Sequence, residues 1–134
     1  MKKVILIGLL FASLLAACGG SSTASLVGPT WTVTSLSGAT LVPDAKITAV
    51  FSGDGHMSGS GGCNTYSAGY KVSGSTLTIS SPNATMMSCS MPVDQQESNY
   101  FYLLEAAGSY EIKGSDLTIK ASTGETILKY TSTQ

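Results

Sequence analysis

The run Ser60-Gly61-Gly62-Cys63-Asn64-Thr65-Tyr66 constrains this chain more than any other stretch. Glycines at 59, 61 and 62 mark a bend or bulge where another strand or side chain comes close, and Cys63 sits in that kink. Cys89 lies 89 − 63 = 26 residues on and closes the short run Ala84 to Cys89. This layout suits a covalent staple between two strands of a small exported domain. Two buried free thiols, or a pair of metal ligands, are the other readings of the same two residues. A zinc site needs further nitrogen or sulfur ligands, and His56 is the single histidine, so neither metal nor cofactor is expected.

Around this motif the chain reads as short alternating runs. With 134 residues, 43% hydrophobic and 11% charged, it fits one compact domain behind a leader. The net charge of -1 is too small to steer it onto nucleic acid, and no nucleic-acid partner is expected. Thr30 to Leu36 alternates as a half-buried strand, with Trp31 and Val33 on one face. Lys46 to Ser52 is a second strand and Gly53-Asp54-Gly55 a hairpin turn, because Asp-Gly supplies the positive φ angles a tight turn needs. His56 to Ser60, Tyr66 to Val72, Thr76 to Ser80 and Ala84 to Cys89 follow. Beyond them, Asp94 with Glu97 three residues on reads as a variant capping box, and Tyr100, Phe101, Leu104 and Ala107 run at helical spacing up to Gly108 as a stop. Tyr110 to Lys113, Asp116 to Ala121 and Glu125 to Thr131 complete the strands.

Gly74-Ser75-Thr76-Leu77-Thr78-Ile79 recurs as Gly114-Ser115-Asp116-Leu117-Thr118-Ile119, shifted by 114 − 74 = 40 residues. A duplicated hairpin on either side of one helix fits a meander wrapped around that helix. The expected fold class is α+β: an antiparallel β-meander curled into a small or cracked barrel with one helix packed on it.

The N-terminus carries a localisation signal. Lys2 and Lys3 form a basic n-region, Val4 to Leu15 an apolar stretch short for a membrane span, and Leu15-Ala16-Ala17 a small-residue cleavage site. The sequence Leu-Ala-Ala-Cys resembles the lipobox of bacterial lipoproteins. That resemblance implies removal of residues 1–17 and acylation of Cys18; plain secretion is the alternative. Residues 18–27 read as the lipidated cysteine and a Gly/Ser/Thr-rich tether, and residues 28–134 as the folded domain. Gly19 directly after the anchor suggests the outer membrane, periplasmic side, so the membrane is a partner through Cys18.

Phe51, Gly55, Gly59, Gly62-Cys63-Asn64, Tyr66 and Tyr70, then Thr85, Met87 and Cys89, with Trp31 upstream and Glu97 downstream, resemble the META/HslJ family of bacterial envelope proteins. The resemblance covers residues 28 to 131, and its most specific piece is Gly-Cys-Asn followed by Thr-x-Met-x-Cys. Met86 stands where many members carry a basic residue. The family likeness implies an envelope-stress, heat-shock or drug-tolerance role.

No catalytic residue is assigned. His56 beside Asp54 lacks the strained nucleophile turn and oxyanion hole of a triad and reads as exposed after a hairpin. Glu97 reads as a capping residue, with ligand contact as the alternative. Met86, Met87, Tyr100, Phe101 and Leu104 are candidates for an adaptable apolar groove, unless they simply fill the core. The expected function is therefore non-enzymatic: an outer-membrane lipoprotein acting by binding a protein, peptide or lipid. The alternative is an interaction module, either an enzyme inhibitor presenting a loop or a pilotin-like carrier holding a lipid or peptide.

Overall fold

Alternation of apolar and small polar residues, with threonine the commonest spacer, drives most of the chain into strands. The computed structural model describes residues 25–133. In order they form β1 (Thr30–Leu36), β2 (Thr48–Phe51), β3 (His56–Ser60), β4 (Thr65–Ser73), β5 (Thr76–Ile79), β6 (Asn83–Ala84), α1 (Met91–Glu105), β7 (Ala107–Lys113), β8 (Asp116–Ala121) and β9 (Thr126–Thr133). All registered strand pairs are antiparallel, in the order β3-β2-β1-β9-β8-β7-β5-β4, and pairing of β3 with β4 closes the ring. The result is an eight-stranded antiparallel barrel with one helix packed on it, the expected α+β class. The short β6 follows β5 along the same side of β4, pairing Tyr66 with Ala84 and Ser67 with Asn83.

Period-2 alternation sends Trp31, Val33, Phe51, Met57, Leu77, Leu117, Ile119, Leu128 and Tyr130 inward, and all are buried. The two copies of the repeated hairpin become neighbours in the barrel wall. Their turns carry Gly74 at φ 60° and Gly114 at φ 59°, left-handed angles that glycine adopts without a Cβ penalty. Between the copies, β5 and β7 are joined by one registered pair, Thr76 with Ser109, plus a bond from the Tyr110 N–H to the Ser75 carbonyl (2.9 Å). This is the thinnest seam of the wall.

Helix α1 closes one end. Gln96, Glu97, Tyr100, Leu103 and Leu104 are its buried residues. Its polar side chains reach the loops of that end: the Gln96 amide accepts from the Val42 N–H (2.6 Å) and donates to the Ala45 carbonyl (3.0 Å), and Asn99 donates to the Ser37 carbonyl (3.0 Å). Tyr100 projects into the core, where its hydroxyl lies 2.7 Å from that of Tyr66 and 3.2 Å from that of Tyr130. Tyr66 donates onward to the Thr48 carbonyl (3.0 Å), so the donors run Tyr130 to Tyr100 to Tyr66 to Thr48. Burial pushes all three phenols above their ordinary pKa.

The fold departs from the sequence reading at four places. The second strand is confined to Thr48–Phe51, although Ile47 is still buried and its carbonyl accepts from the Val33 N–H (3.0 Å). The run Ala84 to Cys89 pairs with β4 only at its start, through Ala84 and the Thr85 N–H on the Thr65 carbonyl (3.0 Å), because Met87 bonds to a side chain of the β3–β4 loop instead. The capping box is also corrected. Ser90 is the N-cap and makes no side-chain cap bond, while Asp94 accepts from the Cys89 N–H (3.0 Å) and Glu97 faces the cysteine loop. Nor does Gly108 stop the helix, which ends at Glu105 and runs through Ala106 into β7. Gly108 is small for another reason: a Cβ there would lie 2.6 Å from the Ser122 nitrogen.

Candidate functional site

The glycine-cysteine-asparagine loop joins β3 to β4 under the helix. Gly61 must be small because a Cβ would stand 2.8 Å from the Glu97 Cγ and 2.9 Å from the Phe101 Cζ. Gly62 takes φ 111°, turning the chain so that the next backbone N–H groups point at the helix. There Glu97 accepts from the Cys63 N–H (3.2 Å), the Asn64 N–H (2.6 Å) and the Asn64 side-chain amide (2.6 Å). A buried carboxylate is thus solvated by three N–H donors, the backbone supplying two of them.

Asn64 carries the connection further. Its Oδ1 accepts from the Met87 N–H (2.8 Å) and the Thr85 hydroxyl (2.8 Å), and its Nδ2 donates to the Met87 carbonyl (3.1 Å). The amide therefore pairs with both backbone groups of Met87, as a neighbouring strand would. The Cys63–Cys89 disulfide, with Cα atoms 6.0 Å apart, pins the same segment from its far side. Among the described residues, every buried side-chain nitrogen and oxygen has a hydrogen-bond partner. Ligand atoms of Cys63, Cys89 and Asp94 lie within 4.8 Å of one another, but the two sulfurs are bonded to each other and present no thiolate to a metal.

The clamp holds its segment's side chains out. Met86 is 98% exposed, Met87 61%, Met91 73% and, on the helix, Tyr102 70%. The five residues expected to share a groove are accordingly divided. Tyr100 and Leu104 are fully buried, Phe101 is half-buried against Tyr66 at a ring distance of 5.3 Å, and Met86 and Met87 face outward. The reason is the asparagine clamp, which replaces strand pairing and leaves the methionines unable to turn inward. His56 is exposed at the start of β3, and its backbone N–H donates to Asp54 (3.2 Å). Cys18 and residues 1–17 lie outside the described residues.

A second concave surface lies at the end opposite the helix. There β4 and β7 run past the closed part of the wall, and a mouth of about 750 Å³ opens between the repeated hairpins and the segment Ser25 to Val27. Tyr70, Val72, Tyr110 and Ile112, all on the inward face of their strands, line it with Leu26 and Val27. Tyr70 also donates to the Ser52 carbonyl and packs edge-on against Phe51 at 5.0 Å.

Two features were not anticipated from the sequence. The clamp had a signal, the Asn64 and Glu97 of the resemblance, but no spacing rule joins residues 33 apart. The tyrosine chain had none beyond three inward positions on three different elements.

These features define a helix-capped, disulfide-stapled eight-stranded barrel. The META domain model matches residues 24–134, and the chain belongs to that family. Similar solved structures include an NMR structure of a protein from Burkholderia xenovorans, 24% identical with a TM-score of 0.65 over 81% of this chain and 84% of that one. Another NMR structure is 23% identical, with a TM-score of 0.58 over 77% of this chain and 87% of that one. A crystal structure of a DUF4847 family protein from Bacteroides vulgatus is 20% identical, with a TM-score of 0.52 over 63% and 57% of the two chains. These likenesses speak for the fold alone. No curated protein matches the chain.

Proposed function

We propose that this is a non-enzymatic lipoprotein of the outer membrane, anchored through Cys18 and acting by binding a protein partner through the methionine-bearing segment 85–91. The observation that carries the binding reading is the pairing of extreme exposure with rigid support: Met86 is 98% exposed on a backbone held by Asn64 and a disulfide. A fixed backbone lowers the ordering cost of association, and methionine side chains adapt to varied apolar surfaces. The same rigidity favours the inhibitor form of an interaction module, which presents a preset loop. The reactive-looking groups are engaged otherwise: both domain cysteines in the disulfide and the Glu97 carboxylate with three donors. A role in envelope stress or drug tolerance belongs to this proposal through the family.

A photo-crosslinking residue placed at Met86 in living cells tests the surface. One discrete protein adduct, absent when the same residue replaces Thr118 on the barrel wall, is the expected result; no adduct at Met86 overturns the reading. Anchoring is tested separately by the mass of the mature N-terminal peptide. An unmodified Cys18, or a Cys18→Ser protein still retained in the outer membrane, removes the lipoprotein part.

A further inference from the structure

From the barrel mouth we infer that the end opposite the helix is the face seated on the lipid bilayer, with the side chains of the mouth in contact with acyl chains and headgroups. The inference rests on the anchoring reading above and adds an orientation to it. Three observations carry it. First, the chain enters the described structure at Ser25, on the lip of the mouth, and the segment Ser25 to Val27 forms part of its lining. Residues 18–24 are seven, so a lipid on Cys18 is no more than about 25 Å from that lip even at full extension. A short tether at one end of a barrel turns that end towards the surface to which it is fixed.

Second, the mouth is mainly apolar, with Ser25, Ser75 and Glu111 as its polar lining, where a water-facing barrel end is ordinarily polar. Val27 is 39% and Val72 42% exposed, and Ile112 and Tyr110 beside them are only half covered. Tyr70 and Tyr110 add rings with an apolar body and a polar tip, the side-chain type enriched where hydrocarbon meets headgroups. Third, Lys113 lies 3.3 Å from Glu111, so the carboxylate of the mouth is paired with a cation and its repulsion of anionic headgroups is weakened. The methionine segment and Tyr102 stand at the helix end. The geometry thus directs the proposed protein-binding surface away from the membrane.

The test uses the mature acylated protein in phospholipid vesicles containing brominated acyl chains, with a reporter tryptophan introduced at Val72 and, separately, at Tyr102. Trp31 is buried and gives the same background in both. Tryptophan at Val72 is expected to lose most of its emission to brominated lipid and to resist aqueous iodide, while tryptophan at Tyr102 shows the reverse. If Val72→Trp fails to fold, as judged by its near-ultraviolet dichroism, Val27→Trp takes its place. Quenching of the mouth reporter by iodide overturns the seating. So does a reporter shielded from both quenchers, the signature of a second copy of the chain or of the anchor's own acyl chain filling the mouth. The mass of the N-terminal peptide, measured on the same sample, separates the two readings: acylated Cys18 with an unquenched mouth ends the seating alone, and unmodified Cys18 ends both.

Discussion

Glu97 is the residue on which the cysteine loop depends. Replacing it with alanine leaves the N–H groups of Cys63 and Asn64 without their acceptor inside the fold, and the expected loss is about 3 kcal/mol of unfolding free energy in urea. Glu97→Gln retains one acceptor oxygen but turns an NH2 group towards a donor, so about half that loss is expected. The tyrosine chain gives a pH dependence. Tyr66, Tyr100 and Tyr130 have folded pKa values raised by burial above the roughly 10 of an unfolded phenol. Their contribution is fully present below pH 10 and is lost as the pH rises beyond it, because the unfolded chain then releases protons that the folded one keeps. The slope should approach about 1.4 kcal/mol per pH unit for each tyrosine, visible as a falling midpoint in alkaline urea titrations. Little of this was legible in advance. Gly-Cys-Asn and Glu97 were marked, but hydrogen-bond partners 33 residues apart are chosen by the tertiary fold and not by any local period.

At the scale of elements the helix separates core from surface along its own length. Leu104 is fully buried, so Leu104→Ala should cost about 3 to 4 kcal/mol. Phe101 is half-buried between Tyr66 and Tyr100, and Phe101→Ala should cost nearer 2 kcal/mol. A loss for Phe101 equal to or above that for Leu104 in the same denaturation series would contradict this division. Strands with clean alternation, such as β5 and β8, were readable because one face had to be buried. The helix was readable in its apolar spacing, but its ends were not. Asp94 and Glu97 fit a capping box in spacing, yet other donors took both carboxylates: the Cys89 N–H just ahead of the helix took Asp94, and the N–H groups of Cys63 and Asn64 in the loop beneath it took Glu97. Gly108 looked like a helix stop and is instead a point where β7 passes close to Ser122.

For the whole molecule, the disulfide spans 26 residues of sequence, and the chain-entropy relation assigns such a loop about 3.5 kcal/mol. Replacing Cys63 and Cys89 together with serine should therefore lower the melting temperature by more than about ten degrees in calorimetry. The barrel class was legible because duplicated hairpins flank one helix, whereas the partner of β1 across the seam was not, since no local pattern marks two strands at opposite ends of the domain. Closure joins β1 to β9, with Thr30 opposite Thr133 and Leu36 opposite Leu128. The first strand to leave the ribosome therefore waits for the last. Until β9 has been synthesised, β1 has only β2 beside it, so the seam that completes the core is a non-local pairing that forms late in folding.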